Sequence, residues 1–216
     1  MPQENFVERL NGKLHRLSAA LIILWVFLLG FRPMTDNVDL GWHVAQGRWM
    51  VQHASFYRQD AMNYPNLGHF AVDEYPLFQV ILAGVWSFGW WAPCVLTALA
   101  YSLLAWIFLR GGRAFDLGAS ALLCFAVGLM FLYVQLVFPL RPHIATYLGM
   151  AILGMFLLRH RETTNWIVFW PMALLQVAWV NCHSGFVVGP AMVGLFGAEM
   201  TLRRWIKTRR IPWSTM

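Results

Sequence analysis

Residues 76–91 read PLFQVILAGVWSFGWW, and whether this stretch crosses a membrane decides the fold. It is one of seven uninterrupted apolar stretches, the others being 17–34, 92–109, 117–139, 144–158, 166–181 and 186–202. If all seven cross with the N-terminus inside, only Arg9, Lys13, Arg16 and Arg141 of the sixteen Lys and Arg residues are cytoplasmic. That reverses the excess of positive charge carried by cytoplasmic loops. If 76–91 lies at the outer surface instead, Arg110, Arg113, Arg159, Arg161, Arg203, Arg204, Lys207, Arg209 and Arg210 join the N-terminal three inside. The balance becomes twelve inside against four outside. The expected fold is therefore an all-α membrane protein of about six transmembrane helices with both termini cytoplasmic. Residues 76–91 then form a membrane-surface helix packed on the outer ends of the spans. Asp73 and Glu74 are placed to cap its free amides, and Pro76 suits its first position.

Composition points the same way. The 216 residues are 59% hydrophobic, 16% aromatic and 12% charged, with mean hydropathy +0.53. Soluble domains carry about 25% charged residues, which argues against a water-soluble globule. At about 20 apolar residues per span, little chain is left for anything but one transmembrane domain over 1–216. Its parts are an outer loop 32–75 with a surface helix 39–53, the surface helix 76–91, the spans, and a basic cytoplasmic tail 203–216. The net charge of +6 does not indicate a nucleic-acid partner, because the basic residues sit at the ends of apolar runs. Cys94, Cys124 and Cys182 form neither a disulfide framework nor a metal knuckle and read as packing residues. Arg9, Lys13 and Arg16 ahead of the apolar run Leu17–Phe31 resemble the start of a signal peptide. Residues 32–36, RPMTD, offer no small-residue cleavage pattern, so an uncleaved first span is expected.

The polar residues gather on the side opposite the positive charge. Loop 32–75 holds Asp36, Asp39, Asp60, Asp73 and Glu74, five of the ten acidic residues. Loops this long are functional or disordered, and the Trp, His and Tyr content argues for order. Asp39 reads as the N-cap of a helix running to His53. There Asp39, His43 and Gln46 share one stripe, Leu40, Val44 and Val51 another, and Trp42, Ala45 and Trp49 a third. Two apolar faces flanking a polar one suit a helix wedged between lipid and protein. On the plainer reading, Asp39 only caps and His43 only meets headgroups. Two short connections face the same side: 139–143, PLRPH, with Arg141 and His143, and 181–185, NCHSG, with His183. Arg141 either snorkels to headgroups or grips a phosphate or pyrophosphate with its planar fork. The span interiors are nearly free of ionisable groups, with Gln135, Gln176 and the terminal Glu199 the notable polar residues. Transporters normally place ionisable groups near the bilayer centre, so transport is disfavoured.

Four segments, in order, carry a family resemblance: 36–49, DNVDLGWHVAQGRW; 73–77, DEYPL; 141–143, RPH; and 179–185, WVNCHSG. Together they resemble bacterial multipass membrane glycosyltransferase-like proteins of the C superfamily, over about residues 17–200. The resemblance implies a first outer loop forming helices on the membrane between spans one and two. It also implies transfer of a sugar, usually with inversion, from a polyprenyl-phosphate carrier to an acceptor on the outer side of a bacterial inner membrane. Asp39 or Asp36 is the implied catalytic base. Arg141 and His143 would face the carrier phosphate, with His43, Glu74 and His183 completing the substrate site. A divalent metal held by Asp39, His43 and Glu74 is a further option, although no Asp-x-Asp pair follows in a second outer loop. Family members are longer, so the chain is expected to correspond to a truncated N-terminal part. The competing expectation is a non-catalytic relative that binds polyprenyl lipid or joins other membrane subunits in a complex.

Overall fold

Gly89 breaks the stretch that decides the topology. Its φ of +109° lies in the region where side-chain-bearing residues are strained, and the chain turns there between two helices. The computed structural model describes residues 2–31, 38–114, 140–161, 163 and 169–209. Among these, seven α-helices follow one another: α1 Pro2–Gly30, α2 Val38–His53, α3 Pro76–Trp86, α4 Trp91–Ala114, α5 His143–Arg159, α6 Trp170–Val180 and α7 Val188–Arg209. No strand occurs among the described residues, where extended pairing is limited to an isolated antiparallel bridge between Gln59 and Phe70. The fold is all-helical, as the sequence suggested. The surface helix expected over 76–91 is shorter, however, because Ser87–Trp90 form the turn and Trp91 already belongs to α4.

Helix lengths set what can cross a membrane. At about 1.5 Å per residue, the 11 residues of α3 span only about 16 Å, half of a hydrocarbon core, whereas the 24 of α4 span about 36 Å. Among the described residues, two segments are long and apolar enough to cross: Trp91–Arg110 and Ser184–Arg203, with mean hydropathies of 1.9 and 1.4. The all-helical class holds, but among the described residues two helices, not about six, are long and apolar enough to cross. The apolar portions Arg16–Gly30, His143–Arg159 and Trp170–Val180 are shorter, and the stretch 117–139 lies outside the described residues.

Packing explains how the loop helices are held. α2 lies along α3, α1 along α4, and α5 touches α4, α6 and α7. One core joins Val26 of α1, Leu40 and Val44 of α2, Phe78 and Leu82 of α3, and Tyr101 and Leu104 of α4. A second centres on Leu153, Leu157 and Trp179. Gly47 lets the α2 and α3 backbones approach closely, since a Cβ there would collide with the carbonyl of Gln79. The Leu77 amide donates to the Asn181 carbonyl at 2.9 Å, so the start of α3 sits at the end of α6. With the starts of α2 and α5 meeting there as well, one end of the bundle collects the loop residues. Arg110, Arg159 and Arg203 stand toward the far ends of α4, α5 and α7.

Two capping expectations change. Asp39 lies in the first turn of α2, which begins at Val38, and so is not its N-cap. The N-cap of α3 is Tyr75, without a side-chain cap. Asp73 instead accepts the Tyr75 amide at 3.0 Å, while the Leu77 amide goes to Asn181 as above.

Candidate functional site

Arg141 is positioned by its neighbours. Leu140 before it is buried in the first core, and Pro142 and His143 after it open α5, so the arginine is held at the loop end of the bundle. Its Nη2 stands 3.4 Å from Oδ2 of Asp39, a residue about a hundred positions earlier. Their side chains are 40% and 55% exposed, which limits the pair to about 0–1 kcal/mol of stability. The Nε of Arg141 is buried and takes no partner among the described residues. An uncompensated buried donor of this kind costs energy.

His183 occupies the turn between α6 and α7, where its ring caps the 3-10 turn Ser184–Val187. Its Nδ1 accepts the Gly185 amide at 3.0 Å and lies 2.7 Å from the hydroxyl of Thr146 in α5. Trp179 Nε1 donates to that hydroxyl oxygen at 2.9 Å. The ring of His143 is 4.4 Å from that of His183, and Tyr75 stacks on His183 at 6.0 Å. Burial, and then the charge of His143, push the His183 pKa down, with Glu74 opposing.

A third group lies between α2 and α3. Gln79, 1% exposed, donates through Nε2 to Gln46 Oε1 at 2.6 Å and Asp73 Oδ1 at 3.0 Å. Those bonds use both amide hydrogens, and His43 Nδ1 is a more distant neighbour at 3.4 Å. The polar stripe of α2 therefore turns inward, with His43 and Gln46 buried against α3, while Val51 and Trp42 are exposed. Burial lowers the His43 pKa, opposed by Asp39 and assisted by Arg141. Burial raises that of Asp73, whose Oδ2 is buried without a partner among the described residues.

Six of the seven residues singled out from sequence come into two adjoining clusters. Asp39, Arg141 and His43 form one. His143, His183 and Glu74 form the other, with Glu74 reaching it through its interaction with the Tyr75 hydroxyl. Tyr75 joins the two, its ring also edge-on to His43 at 5.6 Å. Asp36 lies outside the described residues. The metal option does not fit: no three His, Cys, Asp or Glu side chains among the described residues are grouped to hold an ion, Asp39, His43 and Glu74 included. Sequence reasoning passed over Gln79, Thr146 and Trp179, and read Asp73 as a helix cap rather than as a partner of Gln79. Gln79 and Thr146 were detectable as lone polar residues early in apolar runs, whereas Trp179 looked like any other span aromatic.

An apolar groove of about 640 Å³ is lined by Met50 near the end of α2 and Phe56 just past it, Leu77 and Val80 of α3, and Leu174 and Val177 of α6, and reaches Asn181. No protein-family model, curated protein or solved structure matches the chain.

Proposed function

We propose that the protein is a multipass membrane glycosyltransferase-like enzyme transferring a sugar from a polyprenyl-phosphate carrier to an acceptor on the outer side of a bacterial inner membrane. The observation that carries this reading is the meeting of Asp39 and Arg141 across about a hundred residues of chain, beside His143 and His183. Matching acid, base and phosphate-binding chemistry from separate connections is what a site requires and what headgroup contact does not. The membrane setting draws support from the segment Ser184–Arg203, whose apolar window is only 6% buried by the protein itself. Such an apolar face needs lipid or another subunit against it. Six spans with cytoplasmic termini remain the topology that the charge balance favours.

In this reading the carrier phosphate competes with Asp39 for Arg141, engaging the spare Nε donor, while the polyprenyl chain follows the apolar groove. Asp39, released, accepts the proton of the acceptor hydroxyl as its oxygen attacks the anomeric carbon. The bond from that carbon to the carrier phosphate oxygen breaks, and the electron pair leaves with the phosphate, whose charge Arg141 offsets. His143 assists Arg141 at the phosphate, and His43, Glu74 and His183 surround the sugar and acceptor.

A second reading is favoured by the same ion pair. A carboxylate held by arginine is withdrawn from proton transfer, as expected of a subunit that binds carrier lipid without turning it over. Assay of the purified chain with polyprenyl-phosphate sugars separates the two. Transfer that falls about 100- to 10,000-fold in Asp39→Asn, the range of a general base, supports the enzyme. Carrier binding without transfer supports the subunit.

A further inference from the structure

Resting on the site proposed above, we propose that His183 serves it as a fixed hydrogen-bond donor, with its single proton on Nε2, and that Thr146 and Trp179 are the positioning residues that hold this tautomer.

The argument is one of donor counting. The Gly185 amide can only donate, so at 3.0 Å the Nδ1 of His183 must be an acceptor and carry no hydrogen. The Trp179 indole can also only donate, and it fills an acceptor position on Thr146 Oγ1. The Thr146 hydroxyl hydrogen is thereby directed to the remaining neighbour, Nδ1 of His183 at 2.7 Å. Two donors converge on one ring nitrogen, and both are set by rigid elements, Thr146 on α5 and Gly185 in the capped turn. The neutral ring then has its proton on Nε2, for which no described residue provides a hydrogen-bond partner.

Two chemical consequences follow. His183 cannot act as a general base, because its one lone pair is occupied by Thr146 and Gly185. It cannot easily become an imidazolium either, since a proton on Nδ1 would face the Gly185 N–H, with His143 alongside and, among the described residues, Glu74 opposing. What it offers a substrate is a single N–H aimed at an oxygen lone pair, from the carrier phosphate or a sugar hydroxyl. Proton removal is left to Asp39.

The test uses full-length protein with ¹⁵N-labelled histidine in lipid nanodiscs, the His183 signals being assigned by their loss in His183→Asn. Near neutral pH, the ligand-free protein should show one tautomer, with Nδ1 unprotonated and Nε2 protonated. A proton on Nδ1, or fast averaging between tautomers, overturns the proposal. Thr146→Val leaves the Gly185 amide as the remaining donor to Nδ1, so the Nδ1 signal should move toward that of a more weakly hydrogen-bonded acceptor while Nε2 stays protonated, and Thr146→Ser should restore it. A signature unchanged in Thr146→Val removes Thr146 from the role. Addition of polyprenyl phosphate, and separately of a polyprenyl-phosphate sugar, should shift the Nε2 proton downfield. A shift with both assigns the acceptor to the phosphate, and a shift with the sugar-bearing carrier alone assigns it to the sugar. No shift with either carrier, when both are bound, overturns the donor role. Because the tautomer is read without ligand, failure of the sugar-transfer reading leaves that part of the result standing.

Discussion

At the scale of single residues, Arg141 separates a headgroup contact from a phosphate grip. Snorkelling needs only charge and reach, whereas the grip uses a planar fork and the spare Nε donor that lysine lacks. With charge-assisted hydrogen bonds worth about 1.5–3 kcal/mol, Arg141→Lys should weaken polyprenyl-phosphate binding by about tenfold or more while insertion and melting temperature stay the same. Equal binding by the two proteins, measured by titration in nanodiscs, contradicts the phosphate site. The buried histidines make a separate prediction about pH. His43 and His183 both have pKa values held below the ordinary 6.5 by burial, so the unfolded chain binds protons that the folded one refuses. Stability is full above pH 6.5 and falls as the pH drops through that value. Asp73, raised from 3.8, acts in the opposite direction but closer to its own range. Melting curves at pH 7.5, 6.5 and 5.5 should show a decreasing midpoint, flattened in a His43→Gln, His183→Gln double variant. A midpoint rising toward pH 5.5 counts against the neutral histidines.

At the scale of elements, two glycines of α2 offer a contrast. Alanine favours a helix interior by up to about 1 kcal/mol over glycine. At Gly41 a Cβ meets nothing within 4 Å, and Gly41→Ala should stabilise by about that amount. At Gly47 the added carbon collides with the Gln79 backbone and the Ala83 side chain. Overpacking costs about 1–3 kcal/mol and outweighs the propensity gain, so Gly47→Ala should destabilise and loosen α2 from α3. Thermal unfolding of both variants checks the ordering, and a Gly47→Ala protein more stable than Gly41→Ala would contradict the close approach of the two helices.

At the scale of the whole molecule, the arrangement predicts opposite faces for the two ends. Cysteines placed at the exposed positions His69 and Arg161, in a background lacking Cys94, Cys124 and Cys182, should label from outside and from the cytoplasm respectively. Outside labelling at position 161 contradicts the six-span topology.

Some of this was legible in the residues alone. The helical class follows from apolar runs that must satisfy their own backbone hydrogen bonds. The α2 bounds came within a residue, because periodicity and flanking loop composition are local signals. Arg141, His143 and His183 stood out as charged or polar residues in connections otherwise too short to need them, and the fold brings them to one end of the bundle. Other features depended on which elements became neighbours. The pairing of Asp39 with Arg141, the inward turn of the α2 stripe onto Gln79, and the Trp179–Thr146–His183 relay each join side chains more than thirty residues apart. No local pattern encodes those distances. The partner of a buried donor is decided by helix packing, which the chain specifies only collectively, through the fit of many apolar surfaces.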